Sequence, residues 1–192
     1  MRICVYCASS ARPPKEYGET AFALGELLAK SNMTVVYGGG GFGSMGQLAD
    51  GVLSCGGKLV GIMPEFMQPM EWKHPGVTDF RWTSTMAERK AALIENTDAV
   101  VALPGGCGTF EELFEVITLK RLAFYLKPIV IVNQSGFYDP LLDLFERSVR
   151  DRFMDERHLQ MFTAVSDIED VLPAISSAQT WTQDARSFAT SR

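Results

Sequence analysis

Val100-Val101-Ala102-Leu103-Pro104-Gly105-Gly106-Cys107-Gly108-Thr109-Phe110-Glu111-Glu112-Leu113-Phe114-Glu115 decides how the rest of the chain is read. The apolar run over residues 99–103 has the length and β-branched content of a strand in a parallel sheet, buried on both faces. Three glycines within four residues follow, and then Phe110, Leu113, Phe114 and Ile117 recur at helical spacing. Thr109 stands where an N-cap belongs, and Glu112, three residues on, completes the pattern of a capping box. A glycine turn that opens a helix leaves backbone N–H groups uncovered at a site that favours anions, so phosphate is the first ligand to consider. The competing reading is a plain tight turn, although one glycine usually suffices for that.

Working outward, strands alternate with helices along the whole chain. Strands are expected at 3–6, 33–37, 59–63, 99–103, 129–133 and 163–165. Helices are expected at 15–31, 45–55, from 86, from 109 to about 126, at 140–152 and at 168–175. Short glycine turns join them, which implies an α/β fold: a single-domain, Rossmann-like, doubly wound parallel sheet with helices on both faces. Ser84 or Thr85 is expected to cap the helix at 86. Residues 64–82 break the rhythm, with Pro64, Pro69, Pro75 and Gly76 among Phe66, Trp72 and several methionines. A long loop inside a compact domain is usually functional or disordered, and these aromatics point to a lid or an interface segment. The domain is expected over residues 1–176, followed by a polar, flexible tail at 177–192.

Composition narrows the functional classes. The chain has 192 residues, 46% hydrophobic and 21% charged, with a net charge of −5. Lysine and arginine form no basic stripe, so nucleic acid is not an expected partner. No apolar run reaches the length of a membrane span, and the first residues read as a strand rather than a signal peptide. A cytoplasmic location with reduced thiols follows as the expectation. Cys4 and Cys7 lie three apart on a strand, on opposite faces, which cannot make a short disulfide. With only His74 and His158 as imidazole donors, no metal site is expected.

In a doubly wound sheet, ligands lie beyond the carboxyl ends of the strands near a topological switch point. Three loops should emerge there: Ser9-Ser10, Gly38 to Gly46, and Gly105 to Thr109. Ser9, Gly40, Gly43, Met45 and Gly105 are candidate substrate contacts in such a phosphate cradle. The second loop contains Gly41-Phe42-Gly43-Ser44-Met45-Gly46, a literal dinucleotide fingerprint that is weak when it stands alone. Its acidic partner would be Glu65, behind Pro64. An oxidoreductase would leave the turn at 105–109 unexplained. On the helix that follows, Glu111, Glu115 and Thr118 share one face, and Glu112 sits on a flank closer to the glycines. Three acids beside an anion cradle are read either as dipole-favoured caps or as reactive groups.

These residues carry a family resemblance. Pro104-Gly105-Gly106-Cys107-Gly108-Thr109-Phe110-Glu111-Glu112 matches P-G-G-x-G-T-x-x-E, and Met86-Ala87-Glu88-Arg89-Lys90 precedes it at the matching distance. The chain resembles the LOG (Lonely Guy) family, often mislabelled lysine decarboxylases, over nearly its whole length. The resemblance implies hydrolysis of the N-glycosidic bond of cytokinin riboside 5′-monophosphates, which are N6-modified AMP, and of AMP itself. The products would be free base and ribose 5-phosphate. It puts Arg89 and Glu112 on the family's catalytic pair. Glu71, Lys90, the segment Gly106, Cys107, Gly108, Thr109, Glu111 and Glu112, and Thr118 fall on its nucleotide-binding positions. It implies a homodimer, a small-molecule nucleotide as partner, and no cofactor. Cys107 fills a variable place where an aromatic residue is common. Chemically, a carboxylate such as Glu112 stabilises oxocarbenium character on the sugar or helps water attack. Arg89 either forks onto phosphate or counters charge elsewhere, and the sequence leaves both jobs open. Pyridoxal phosphate chemistry would need a Schiff-base lysine, and nothing marks Lys58, Lys90, Lys120 or Lys127 as that residue.

Overall fold

Alternating strands and helices resolve into one fully parallel sheet. The structure is a computed structural model that describes residues 1–70 and 72–188. Strand β1 (Arg2–Tyr6) leads into helix α1 (Lys15–Lys30), β2 (Thr34–Tyr37), α2 (Gly43–Ser54) and β3 (Lys58–Pro64). The second part runs through β4 (Asp79–Thr83), α3 (Met86–Ile94), β5 (Ala99–Ala102) and α4 (Cys107–Arg121). It finishes with β6 (Ile129–Val132), α5 (Asp139–Arg150), β7 (Thr163–Val165) and α6 (Val171–Ser177). The sheet order is β4-β3-β2-β1-β5-β6-β7. The chain walks outward from β1 to β4, returns beside β1 as β5, and then walks the other way. The switch point therefore lies between the carboxyl ends of β1 and β5.

The two-residue period of each strand feeds two cores. Ile3, Val5, Val35, Val101 and Val130 pack under α1, α2 and α6. Cys4, Val36, Ile62, Val100 and Ile131 pack under α3, α4 and α5. Each fully buried aliphatic side chain contributes roughly 2 kcal/mol, and the central strands β1 and β5 supply both faces. Cys4 and Cys7 fall into opposite cores, as their spacing requires. Among the described residues no helix is long and apolar enough to cross a membrane.

Three expectations need correction. The segment at 64–82 is not all loop, because β4 pairs with β3 from Val60↔Asp79 to Pro64↔Thr83. Asp79-Phe80-Arg81-Trp82-Thr83 is an edge strand, and its charged and half-exposed pattern hides it from a search for apolar runs. The last helical stretch is a 3-10 turn followed by α6, not one helix from residue 168. Nor are residues 178–188 free. Trp181 is 7% exposed and its Nε1 donates to the Lys120 carbonyl at 2.8 Å. Phe188 packs edge-on against Trp181, and Arg157 lies over the Phe188 ring at 3.8 Å. Trp181, Ala185 and Phe188 stand at i, i+4 and i+7, a helical spacing that the surrounding polar residues mask.

Candidate active site

The stem of the glycine turn is rigid. Leu103 donates its N–H to the Tyr6 carbonyl at 2.9 Å, and its own carbonyl accepts from the buried Tyr138 hydroxyl at 2.8 Å. Beyond Pro104, the N-cap of α4 lies three residues earlier than the Thr109 cap that the sequence implies. Gly106 is the N-cap, with no side chain capping it, and Phe110 N–H bonds to the Gly106 carbonyl at 2.9 Å. Thr109 is therefore inside the helix and buried, folded back over Gly105, and neither it nor Glu112 forms the expected capping box. The N–H groups of residues 107–109 precede the first intrahelical bond and have no acceptor within the helix. A Cβ added at Gly106 or Gly108 would meet nothing within 4 Å. These two glycines thus leave open space in front of the helix.

Glu112, one turn further on, lies 3.1 Å through Oε1 from Arg89 Nη1. Arg89 is 4% exposed and Glu112 5%, so this ion pair is almost wholly withdrawn from water. Helix α3 delivers the arginine. Its first turn is fixed by Thr85 Oγ1, which accepts from Glu88 N–H at 3.1 Å, while the Glu88 carboxylate accepts from Ser84 N–H at 2.8 Å. Arg89 Nε donates to the Ile62 carbonyl at 3.3 Å. Beneath the pair, burial and then the negative Glu112 push the Cys4 thiol up. Burial, then Cys4 and Glu112, do the same to the Tyr6 phenol. Both the thiol and the phenol are thereby held neutral to higher pH than usual.

The pair opens onto a cavity of about 300 Å³ at the switch point. Its walls are the β1 loop from Cys7 to Ser10, the α4 start from Gly106 to Thr109, and Arg89 with Glu112. Met45, Met67 and Met86 form its apolar side. An adjoining apolar slot of about 240 Å³, between Tyr17, Phe137, Pro13 and Pro104, shares Ala8, Ser10 and Gly106 with the cavity.

A family profile described as "Possible lysine decarboxylase" matches residues 45–175. The cytokinin riboside 5′-monophosphate phosphoribohydrolase LOG1 of Arabidopsis thaliana is 35% identical over 190 residues, covering 94% of this chain and 89% of that protein. The cytokinin riboside 5′-monophosphate phosphoribohydrolase of Rhodococcoides fascians is 38% identical over 176 residues, covering 91% of this chain and 89% of that protein. This chain belongs to the LOG family. The crystal structure of the structural-genomics target TM1055 matches at a TM-score of 0.70 and 25% identity, covering 91% of this chain and 98% of that one. A molybdenum cofactor carrier protein of Chlamydomonas reinhardtii shares the fold at a TM-score of 0.70 and 19% identity, covering 92% of this chain and 96% of that one.

In this LOG-family chain the tertiary structure sorts the sequence-derived candidates into two groups. Arg89, Glu112, Ser9, Met45, Gly106, Cys107, Gly108 and Thr109 meet around the one cavity. Gly40, Gly43, Gly105, Lys90, Glu111 and Thr118 do not line it. Gly40 pairs with Lys73 in an isolated antiparallel bridge. Gly43 lines a neighbouring groove with Ser10 and Tyr17, and Gly105 lines the apolar slot. Lys90 lies outside, 2.7 Å from Glu111 and 2.8 Å from Glu115. Hydrogen bonds to Glu111 and then Glu115 hold its ammonium protonated to higher pH than an ordinary lysine. Thr118 is exposed and donates to the Phe114 carbonyl of its own helix at 2.8 Å. Glu71 lies outside the described residues. Sequence reasoning missed Met67 and Met86 as cavity walls. For Met86 a signal existed, since it precedes Arg89 by three on one helix and so shares its face.

The dinucleotide fingerprint also changes meaning. It follows β2, one strand away from the switch point, and Met45 N–H at the start of α2 is bonded to the Ala8 carbonyl at 3.0 Å. Gly43, with φ +58, lets this turn close onto Ser10. That glycine loop packs against the β1 loop, and Glu65 sits exposed in a 3-10 turn after β3.

Proposed function

We propose that this LOG-family chain is a phosphoribohydrolase acting on cytokinin riboside 5′-monophosphates and on AMP, releasing the free base and ribose 5-phosphate. One observation carries the reading: a buried Glu112–Arg89 pair faces the same cavity as the uncovered N–H groups at the start of α4. The 5′-phosphate binds those N–H groups, where the helix dipole favours negative charge. With phosphate anchored there, the ribose lies over Glu112 and the base against Met45, Met67 and Met86. As the ribosyl–base bond lengthens, positive charge grows on the sugar. The Glu112 carboxylate stabilises that charge and accepts a proton from the attacking water. Arg89, ion-paired with Glu112 and donating to the Ile62 carbonyl, orients the carboxylate rather than clamping phosphate. Remote binding of the phosphate orients the reacting bond.

The same proposal includes a homodimer and a cytoplasmic setting. Phe114 and Trp82, 41% and 38% exposed, are apolar groups that a second copy would cover. A decarboxylase would need a lysine at the cavity for its Schiff base, and none of the described lysines lines it. Lys120 has burial-lowered basicity, to about 8, but points at the Lys127 carbonyl under Trp181. Incubation with AMP and with N6-isopentenyl-AMP, read by chromatography, should yield adenine and the modified base. No base released from either nucleotide rejects the reading, and tight nucleotide binding without turnover would leave a binding module. Size-exclusion with light scattering tests the dimer.

A further inference from the structure

Arg89 is held on three sides. Nε donates to the Ile62 carbonyl at 3.3 Å, Nη1 faces Glu112 at 3.1 Å, and Nη2 abuts Gly38, the first residue after β2. A Cβ built on Gly38 would stand 2.5 Å from Arg89 Nη2 and 2.9 Å from Met45 Cε. Gly38 has no positive φ, unlike Gly39 at +84 and Gly43 at +58, so its backbone conformation is open to any residue. Its nearest neighbours are the ends of two side chains, whereas a Cβ on Gly43 would strike the backbone of Ser10. The chain path therefore asks for glycine at 39 and 43. At 38 the demand comes from the volume of the guanidinium and the tip of Met45.

We infer that Gly38 is a positioning residue, whose missing side chain lets the Arg89 guanidinium lie against Glu112. The inference rests on the proposed hydrolase for its effect on turnover, while its geometric part stands on the fold. A methyl group at 38 must push Nη2 away by roughly 1 Å to reach ordinary contact distance. A shift of that size displaces the guanidinium relative to the Ile62 carbonyl and the Glu112 carboxylate, while the backbone around residue 38 is left in place. Misplacement of this size costs about 10²-fold in rate.

The test compares wild type with Gly38→Ala, Arg89→Lys and the double variant. The readouts are kcat and KM for AMP, the melting temperature, and the NMR signal of the Arg89 Nε–H, assigned by its loss in Arg89→Lys. Gly38→Ala should lower kcat about 100-fold with KM nearly unchanged. It should melt within about 3 °C of wild type and lose the slow solvent exchange of the Arg89 Nε–H. Arg89→Lys, which has no Nη2 to collide, should cost much activity in wild type and little further in the Gly38→Ala background. Wild-type kcat and a protected Nε–H in Gly38→Ala would overturn the inference. So would a fall in melting temperature with raised KM and an unchanged Nε–H signal. If wild type releases no base yet Gly38→Ala still loses the Nε–H protection, the positioning role stands and the hydrolase reading fails.

Discussion

Two glycine-rich turns feed two helices at the same edge of the sheet, and they use glycine for opposite ends. At the start of α2 the glycines bring chain against chain: Gly43 closes onto Ser10, and Met45 N–H is satisfied by the Ala8 carbonyl. At the start of α4, Gly106 and Gly108 face open space, and the first N–H groups have no partner within the helix. The first turn is finished as a piece of protein, and the second is left open, which is where the proposed function seats the phosphate. The sequence signature does not separate them; if anything, the formal fingerprint lies on the closed turn. What separates them is the place of the strand before each: β5 borders the switch point and β2 does not.

The largest expected effect falls on the group that the open turn presents. Glu112→Gln should lower kcat by roughly 10³-fold, with nucleotide binding retained, because it removes the charge and keeps the shape. Steady-state kinetics beside calorimetric binding of AMP measures both. If turnover survives, Glu112 is only a structural partner of Arg89. Next comes the far end of α4, which has to be held for its start to be presented. Trp181→Ala should cost about 3 kcal/mol of stability by leaving a cavity over Lys120, with KM of the folded protein unchanged. Urea unfolding reads the first quantity, and a rise in KM would show that the two ends of the helix are coupled.

The two turns themselves supply the contrasting pair. Gly43→Ala should destabilise by about 2 kcal/mol, since alanine is strained at φ +58 and its methyl meets the Ser10 backbone. Gly108→Ala should leave the melting temperature unchanged or slightly higher, while KM for the nucleotide rises about tenfold, a loss of about 1.4 kcal/mol. The reverse assignment, with stability lost at 108 and affinity lost at 43, would invert the comparison.

Much of this was legible in the primary structure. The buried runs 99–103 and 129–133, the helical spacing after 109 and the short glycine turns specify a parallel α/β sheet wherever local pattern governs. The misses share a physical cause. Strand β4 is amphiphilic because it lies at an edge, and Trp181 is buried although its neighbours are polar, so neither declares itself by composition. Thr109 and Glu112 satisfy the pattern of a capping box, but a glycine N-cap needs no side chain and Arg89 engages the Glu112 carboxylate.

The sequence by itself determined the periodicities, the order of the elements other than β4, the family and the presence of Arg89 and Glu112 at matching spacing. It could do so because these depend on neighbours a few residues apart. Only the tertiary structure decided which glycine turn is open, that Arg89 and Glu112 pair out of water, and that Gly38 stands against the guanidinium. Those facts depend on crossovers that bring residue 38, just after β2, to one point with residues 62, 89 and 112 of β3, α3 and α4. No local pattern along the chain encodes that distance.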